Sequence, residues 1–488
     1  MINEMPMQAC DRRLEFNTWN GHVVRTDGDA YLLHVPTTAL FGVDALGLAV
    51  IDACGEPGGR SIDELILQFE GRHAPERVRA FAGELSKLEV LQPAGALSAI
   101  NPIKVKVNEY PLSTLVLNVN TGCNLSCTYC YKEDLAKPAA GKRMDFPTAA
   151  RSVDLLLAAA ANRDRINIVF FGGEPLTNVP LIREVVDYAQ KAAGIAHKEV
   201  DFSLTTNATL LTPKLIDYLD EHRFGISVSI DGPKELHDRH RKTVGGRGTY
   251  EVVARKVAIL LERYRSRPVG ARVTLGAGNT DVEAIHEHLR TGMGFHEVGY
   301  APVTASDVAG HALSEQELAE VHQAFERLGE QYREYALKGR NNGFSNMHQL
   351  MTDLHEGRRK SLPCGAGVGL LAVDAAGELN LCHRFTGSEL PTFGNVASGI
   401  DKERLGAFID KAIDREGTHC ETCRIRNLCA GGCYHESYAR FGDPHHRTYH
   451  YCDLLRRWID FGVRIFADIQ RHNPDFFTRH LGPRSAIA

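Results

Sequence analysis

Residues 114–130 read TLVLNVNTGCNLSCTYC, an apolar stretch that runs directly into a cysteine-containing loop. The apolar and β-branched residues of Thr114–Asn120 predict a buried strand. Cys123, Cys127 and Cys130 follow at C-x3-C-x2-C spacing. Thiolates at such spacing hold iron–sulfur clusters or zinc, so a cluster with one open iron and a three-ligand zinc site are the alternatives. Tyr129, between the last two cysteines, could pack against a planar ring or lie in the core.

This strand is the first of six alternating strand and helix units. Parallel strands alternating with amphipathic helices form a helix-covered sheet, and six units predict an α/β fold with an open, partial (β/α)6 TIM-like barrel. The predicted strands are Thr114–Asn120, Ile166–Phe171, Asp201–Thr205, Gly225–Ile230, Ala271–Gly276 and Glu297–Ala301. The predicted helices lie near Phe146–Ala161, Pro180–Ala193, Pro213–His222, Thr249–Arg265, Asp281–Arg290 and Ser314–Leu337.

Unusual polar residues follow the predicted strands, where such a barrel carries its function. The second strand ends in Gly172-Gly173-Glu174-Pro175. The glycine pair would let the backbone approach a ligand closely, and Glu174 could accept a hydrogen bond from an ammonium group. The candidates after the third and fourth strands are Thr206, Asn207, Ser229 and Asp231. Asp238 and Arg241, a little further on, could position a ligand or belong to a surface charge network.

A second cysteine group occupies the last third of the chain. Its members are Cys364, Cys382, Cys420, Cys423, Cys429, Cys433 and Cys452. The middle four form a C-x2-C-x5-C-x3-C run, for which a zinc ribbon is the alternative to an iron–sulfur site. Of the 12 cysteines, Cys10 and Cys54 lie outside both groups, and Cys54 ends an apolar helix and is expected in a core.

The N-terminal residues 1–92 are predicted to form a small winged-helix unit. Its elements are the strands His22–Arg25 and Tyr31–Val35, a helix near Val43–Cys54, a second helix with a capping box from Ser61 to Glu64, and a third after Pro75. A minor packing domain and a DNA-binding module are the alternatives, and the balanced charges of the third helix disfavour DNA. The remaining predicted parts are a linker over 93–112, the barrel over 113–344, and a cysteine-rich domain over 345–488 with a last helix at Leu454–His472.

Bulk composition excludes several classes of protein. The 488 residues are enough for two or three domains, and the net charge of -5 argues against a nucleic-acid partner. No signal peptide and no apolar run of membrane-spanning length stand out, so we expect no membrane association. Twelve cysteines in such a chain favour reduced, metal-binding thiols and a cytoplasmic location.

The cysteine loop together with Gly172–Pro175 resembles the radical S-adenosylmethionine (AdoMet) superfamily. The resemblance implies a partial barrel in which Cys123, Cys127 and Cys130 hold a 4Fe–4S cluster and AdoMet chelates its open iron. It also implies a 5′-deoxyadenosyl radical that removes a hydrogen atom from the substrate. The residues that would contact AdoMet are Gly172, Gly173 and Glu174, with Tyr129, Thr206, Asn207, Ser229 and Asp231 as further candidates.

The seven C-terminal cysteines resemble the SPASM extension of that superfamily. By this resemblance two auxiliary 4Fe–4S clusters join the first, giving three in all. One would be held by Cys420, Cys423, Cys429 and Cys452, and the other at three corners by Cys364, Cys382 and Cys433. Formylglycine-forming relatives have an eighth cysteine before the first of these seven and an acid after the one matching Cys382. This chain lacks the cysteine and has His383, a candidate catalytic base or a hydrogen-bond donor to a cluster sulfur.

Further short strings resemble the maturase of quinohemoprotein amine dehydrogenase. They are Tyr131–Leu135, Cys382–Ser388 and Phe393–Val396. That family joins Cys sulfur to the methylene carbon of Asp or Glu in the small γ subunit. The N-terminal unit similarly resembles leader-peptide recognition domains, which bind a peptide as an added strand.

These resemblances lead to the hypothesis of a thioether-forming peptide maturase. Its expected partners are a γ subunit with its leader and an electron donor such as a flavodoxin or ferredoxin. The alternatives are another SPASM maturase, which forms a Cys-to-Cα thioether or a carbon–carbon link, and a zinc-stabilised peptide- or DNA-binding regulator.

Overall fold

The computed structural model describes residues 12–26, 28–100, 112–130, 141–160, 163–304, 310–447 and 451–481. Three positions or segments discussed above lie outside these ranges: Cys10, residues 101–111 of the predicted linker, and Tyr131–Leu135.

The N-terminal unit contains the predicted hairpin and three helices. Its elements are β1 (Leu14–Phe16), β2 (Gly21–Arg25), β3 (Ala30–His34), β4 (Ala39–Val43), α1 (Ala45–Cys54), α2 (Ile62–Gln68), α3 (Pro75–Lys87) and β5 (Leu91–Pro93). The capping box of α2 is confirmed, because the Ser61 hydroxyl accepts from the Glu64 N–H and the Glu64 carboxylate accepts from the Ser61 N–H. Strand β4, which the sequence did not predict, extends the hairpin to a sheet of order β2-β3-β4. Asp44 lies between β4 and α1, and its side chain caps the N-terminus of the helix by accepting from the Gly47 N–H. The helix therefore begins later than predicted.

The central sheet confirms the partial barrel. Its units are β6 (Thr114–Asn120), α4 (Phe146–Ala159), β7 (Arg165–Gly172), α5 (Val179–Ile195), β8 (Glu199–Thr206), α6 (Pro213–Glu221), β9 (Gly225–Ser229), α7 (Lys234–His240), α8 (Tyr250–Arg263), β10 (Val269–Leu275), α9 (Val282–Glu287), β11 (Glu297–Pro302) and α10 (Glu315–Leu337). Strands β6 to β11 lie in sequence order and pair in parallel, so the loops that follow them meet at one edge. Helix α7 was not predicted, and residues 288–292 after α9 form a π-helical turn.

Apolar side chains from the strands fill the space between sheet and helices. Phe170, Phe202 and Phe224 stack with ring centroids 5.4–6.1 Å apart and are fully buried. Buried residues alternate with part-exposed ones along β7, β8 and β9, because one face of the sheet packs in this core and the other faces the barrel interior.

The cysteine-rich region completes the sheet. It contains α11 (Ser345–Glu356), β12 (Leu370–Val373), β13 (Leu379–Asn380), β14 (Gly394–Asn395), β15 (Gly399–Ile400), α12 (Lys402–Ile413), α13 (Arg426–Cys429), α14 (Tyr434–Phe441), α15 (Cys452–His472) and α16 (Asp475–Leu481). Strand β12 pairs in parallel with β6, and β13 pairs antiparallel with β12. The barrel and the cysteine-rich region therefore share one eight-stranded sheet. The predicted last helix is confirmed as α15, which begins two residues earlier.

The N-terminal unit docks on the cysteine-rich region through α13. The Arg426 guanidinium, whose residue is 2% exposed, donates to the carbonyl of Trp19 and to the side-chain oxygen of Asn20. The neighbouring Asn427 amide donates to the carbonyl oxygen of Val35 at 2.9 Å. Polar groups buried in this way need partners, so these bonds connect the N-terminal unit to the segment between two cysteines of the C-x2-C-x5-C-x3-C run.

Among the described residues, no helix has the length and apolar character needed to cross a membrane.

Candidate active site

A cavity of about 740 Å³ opens at the carboxyl ends of the parallel strands. Residues from the loop after β6, from β7 to β11 and from the cysteine-rich region line it together. It contains most of the sequence-predicted site residues, namely Cys123, Cys127, Tyr129, Cys130, Gly172, Gly173, Glu174, Thr206, Asn207, Ser229, His383 and Cys433. Asp231 is not among the lining residues.

The cluster loop, residues 121–130, carries the first three cysteines. Burial raises the pKa of Cys123 to about 12, and the nearby charges of Glu174, Cys127 and Cys130 add to that effect. Burial likewise raises the pKa of Cys127 to about 11. These thiols are protonated near neutral pH in the metal-free chain, so binding iron would release their protons.

The cluster loop is held by the segment after β9. The Ser126 N–H donates to the Lys242 carbonyl at 2.8 Å, and the Thr128 N–H donates to the His240 carbonyl at 3.0 Å. These two bonds pair the cluster loop with the segment after β9 much as two neighbouring strands are paired. The loop therefore depends on a segment more than a hundred residues away in sequence.

A buried ion pair lies beneath Tyr129. The Tyr129 hydroxyl donates to Asp231 Oδ2 at 2.5 Å, and Arg241 donates to both oxygens of the same carboxylate at 2.9 and 3.0 Å. The Thr274 N–H supplies a further bond to Asp231 Oδ1 at 3.0 Å. Although burial acts to raise it, the pKa of the Asp231 carboxyl is lowered, mainly by the Arg241 charge. The carboxylate is 0% exposed and fully engaged, which suits holding the loop rather than contacting AdoMet. Its role as an AdoMet contact remains a prediction.

The glycine pair after β7 allows close backbone contact with the cluster loop. At Gly172, where φ is 148°, a Cβ atom would lie 2.1 Å from the Asn120 carbonyl oxygen. A Cβ at Gly173 would lie 2.3 Å from the Gly122 carbonyl oxygen. The Glu174 N–H donates to that same carbonyl at 3.1 Å. The glycine backbone thus lies directly against the segment that carries the cluster loop. A side chain at either glycine would displace that segment.

Glu174 is buried at the end of β7 among hydrogen-bond donors. Its carboxylate accepts from the Thr206 hydroxyl at 2.7 Å, the Asn207 N–H at 2.8 Å and the Leu176 N–H at 3.0 Å. Burial raises the pKa of Glu174 to about 7 in spite of these bonds. A cation such as an ammonium group would favour its ionised form. The Asn207 amide also contacts Cys123 Sγ at 3.8 Å, linking this carboxylate to the cluster loop.

Three C-terminal cysteines, Cys364, Cys382 and Cys433, lie near one another, and one of them reaches the same cavity. Burial raises the pKa of Cys382 to about 12, and the charges of Cys433 and Cys364 add to it. Cys433 lines the cavity directly. His383, the residue after Cys382, also lines it, and its ring centroid lies 4.3 Å from that of Phe171 in β7.

The other four cysteines surround a separate cavity of about 300 Å³. These are Cys420, Cys423, Cys429 and Cys452. Burial raises the pKa of Cys429 to about 11, with smaller effects from the charges of the other three. Arg426, Arg447 and Arg456 also line this cavity, and their positive charges would offset the negative charge of a thiolate-bound cluster.

Cys420, Cys423, Cys429 and Cys452 share one cavity and Cys433 lines the other, while the binding of clusters by these groups stays a prediction. Among the described residues, no three or more His, Cys, Asp or Glu side chains are arranged to hold a single metal ion. One zinc, with Zn–S bonds of about 2.3 Å, would need its thiolates nearly in contact, whereas a four-iron cluster spreads them further apart. In the described ranges, the thiols are thus not drawn together as a single zinc site would require.

Sequence reasoning missed several cavity residues. Arg272 and Thr274 in β10, Thr304 after β11 and Arg384 all line the cavity. Arg384 donates to the Thr304 hydroxyl at 2.7 Å. The alternation of apolar and polar residues along β10 indicates the inward face that carries Arg272. The signal for these residues was therefore a polar side chain within a strand and not only at its end. Asp238 fits the surface alternative, since it pairs with exposed Lys234.

Comparison with known proteins agrees with this geometry. Residues 117–291 match the model of the Radical SAM superfamily. The serine-type anaerobic sulfatase-maturating enzyme of Klebsiella aerogenes is 25% identical over 346 residues, which are 66% of this chain and 80% of that enzyme. Another curated relative is 38% identical, but over only 27% of this chain and 43% of its own length.

Solved structures share the fold. Native anSMEcpe with bound AdoMet has a TM-score of 0.60 at 19% identity and covers 76% of this chain and 99% of its own. Streptococcus suis SuiB bound to its precursor peptide SuiA has a TM-score of 0.52 at 12% identity and covers 91% of this chain and 100% of its own. A radical SAM domain implies a 4Fe–4S cluster and AdoMet. Residues 117–291 therefore form a radical SAM domain, which supports an enzyme that uses radical AdoMet chemistry, and the chain is similar to the anaerobic sulfatase-maturating enzymes.

Proposed function

We propose that this enzyme is a peptide or protein maturase that joins a cysteine sulfur to the methylene carbon of an Asp or Glu side chain. The proposed substrate is the small γ subunit of a quinohemoprotein amine dehydrogenase. The observation that carries the proposal is the shared cavity of about 740 Å³, which Cys123, Cys127 and Cys130 line from one side and Cys433 and His383 from the other. A single peptide segment in this cavity would contact both cysteine groups.

The chain's own residues suit this chemistry. Cys123, Cys127 and Cys130 would hold the first cluster, and Glu174 would accept from the AdoMet ammonium group. When bound, the cluster and AdoMet would supply the electron and the oxidising radical that remove a hydrogen atom from the substrate. Forming the C–S bond removes one hydrogen atom from the methylene, one proton from the thiol and one electron. His383 lines the cavity and would accept the proton.

The auxiliary cysteine groups would take up the remaining electron. Cys364, Cys382 and Cys433 would provide three ligands to a four-iron cluster near the cavity, and that cluster would keep one position without a ligand from these three. Cys420, Cys423, Cys429 and Cys452 provide four ligands around the second cavity. An electron could thus pass away from the substrate towards an external donor–acceptor protein such as a flavodoxin or ferredoxin.

A peptide substrate is supported by the relatives and by the N-terminal unit. The relatives include sulfatase-maturating enzymes, and SuiB is solved with a precursor peptide. In this chain β4 forms an edge of the N-terminal sheet, and Phe41 within it is 41% exposed. Such an edge could accept a leader peptide as an added strand.

Two features favour a thioether over formylglycine as the product. The chain lacks the eighth cysteine that formylglycine-forming relatives have, and His383 stands where they carry an acid. With three ligands for the first auxiliary cluster, one iron would stay accessible from the cavity.

The test is coexpression with candidate γ subunits, followed by mass spectrometry of the small subunit. Each thioether removes two hydrogens, and fragmentation should place the bond between Cys and an Asp or Glu methylene. The Cys123→Ala variant is the matched control and should return unmodified substrate. Formylglycine, or a bond to a Cα or between two carbons, would contradict the proposed product while leaving the radical SAM assignment intact.

A further inference from the structure

Arg272 lies in the middle of β10. In the sheet register Arg272 lies between Ser229 of β9 and Gly299 of β11. Its side chain is on the inner face of the barrel and lines the large cavity. Arg272 is accessible because it opens into this cavity, while the surrounding protein still lowers the pKa of its guanidinium by desolvation. The group stays charged at every pH of interest.

Where the structure describes the chain, Arg272 differs from the other arginines of the cavity in having no bound acceptor. Arg241 is held by both oxygens of Asp231, and Arg384 donates to Thr304. Within the part of the chain that the structure describes, Arg272 makes no hydrogen bond and no ion pair within 4.0 Å. The carboxylate that most favours its charge is that of Glu297, two residues before Gly299. A guanidinium with five N–H donors is thus directed into the cavity without a partner.

The strand beside Arg272 leaves room for this arrangement. A Cβ atom at Gly299 would lie 3.0 Å from Arg272 Nη1, so a larger residue would push the guanidinium away. The hydroxyl-bearing residues Ser227, Ser229 and Thr274 line the adjacent part of the cavity. They could accept or donate hydrogen bonds around an anion but carry no charge to neutralise Arg272.

We propose that Arg272 binds the carboxylate of the substrate's reacting side chain, an Asp or Glu. A guanidinium matches a carboxylate through two parallel N–H···O bonds. Such a bond fixes the carboxylate and thereby limits where its methylene carbon can lie in the cavity. Arg272 would then select acidic over amide side chains. This inference rests on the proposed function, because it assigns the group that recognises the proposed substrate residue.

Two small probes test this selectivity directly. N-acetyl-glutamate α-N-methylamide carries the carboxylate, and N-acetyl-glutamine α-N-methylamide is its neutral counterpart. Isothermal titration of the reconstituted enzyme in the presence of AdoMet should give a Kd at least about tenfold lower for the acidic probe. Arg272→Gln should abolish the difference, and Arg272→Lys should retain part of it because one charge remains without the bidentate fork.

Controls separate this inference from loss of folding and from loss of the proposed activity. Arg263→Gln removes an exposed arginine that is paired with Asp217 on the surface, and it should keep the wild-type selectivity. Equal binding of the two probes to the wild type, or unchanged selectivity in Arg272→Gln, would overturn the inference. So would a tenfold loss of AdoMet affinity in Arg272→Gln, which would assign Arg272 to the AdoMet carboxylate. Acid-selective binding without thioether product in coexpression would instead contradict only the proposed function.

Discussion

Replacement of Asp231 by Asn should destabilise the barrel strongly, because it leaves the charge of Arg241 buried without a counter-charge. Arg241 is 7% exposed and Asp231 is 0% exposed. Asn keeps the size of Asp but turns one acceptor into a donor, so one of the bonds at 2.9 and 3.0 Å becomes a contact between donors. Removing one partner of a buried pair costs about 3–5 kcal/mol.

The chain offers a matched surface pair as control. Arg263 donates to Asp217 through contacts of 2.7–2.9 Å, a geometry as good as that of the buried pair. Both side chains are about half exposed, at 43% and 53%. Asp217→Asn should therefore cost less than about 1 kcal/mol, since water replaces the lost partner.

Urea unfolding followed by circular dichroism under anaerobic conditions measures the difference. With a slope of about 2–3 kcal/mol per M urea, Asp231→Asn should lower the midpoint of the barrel transition by about 1–2 M. Asp217→Asn should shift it by less than about 0.5 M. The double variant Asp231→Asn with Arg241→Gln should recover much of the loss, because no buried charge remains. Equal midpoints for the two single variants, or no recovery in the double variant, would refute this reasoning.

Three further predictions follow from the cluster loop and the cysteine groups. Gly173→Ala should displace the loop and lower the amount of bound iron, because the new Cβ would lie 2.3 Å from a loop carbonyl oxygen. In the control Gly83→Ala the new Cβ would meet no described atom outside its own helix within 4 Å, so this variant should bind as much iron as the wild type. Equal iron in both variants would contradict this. The pKa of Glu174 is raised from 4.5 to about 7, so between these pH values the folded AdoMet-free protein keeps a proton that the unfolded chain has lost. The free energy of unfolding of the wild type should therefore fall as the pH rises from 4.5 to about 7. Relative to Glu174→Gln the fall should be about 2–4 kcal/mol in parallel denaturation curves at pH 5 and 8, and parallel pH profiles would argue against a raised pKa. Cys429→Ala should lose about four of about twelve irons per chain by colorimetric assay, while Cys54→Ala should lose none, and equal losses would disprove the cluster assignment.

Much of the fold follows from local patterns. The six parallel strands, the helices between them and the last helix were predictable because apolar periodicity over 5–20 residues reflects which face an element buries. Strand β4 and the short helices α7 and α16 were not predicted, because a few residues carry too little periodicity. Helices α11 and α12, of 12 residues each, were also missed. The pairing of β12 with β6 depends on partners over 250 residues apart, which no local pattern reports.

The candidate site, like the fold, could be predicted from the sequence only in part. Cysteine spacing by itself predicted which thiols would bind metal, since ligands on one loop must lie within a few residues of each other. Only the tertiary structure showed that Cys433 and the cluster loop line one cavity, and that Arg272 faces this cavity with no acceptor among the described residues. It also showed that Asp231, 102 residues from Tyr129, holds the cluster loop from beneath. Sequence spacing determines contacts within a loop or along a strand, whereas contacts between distant segments depend on how the whole sheet and its helices pack.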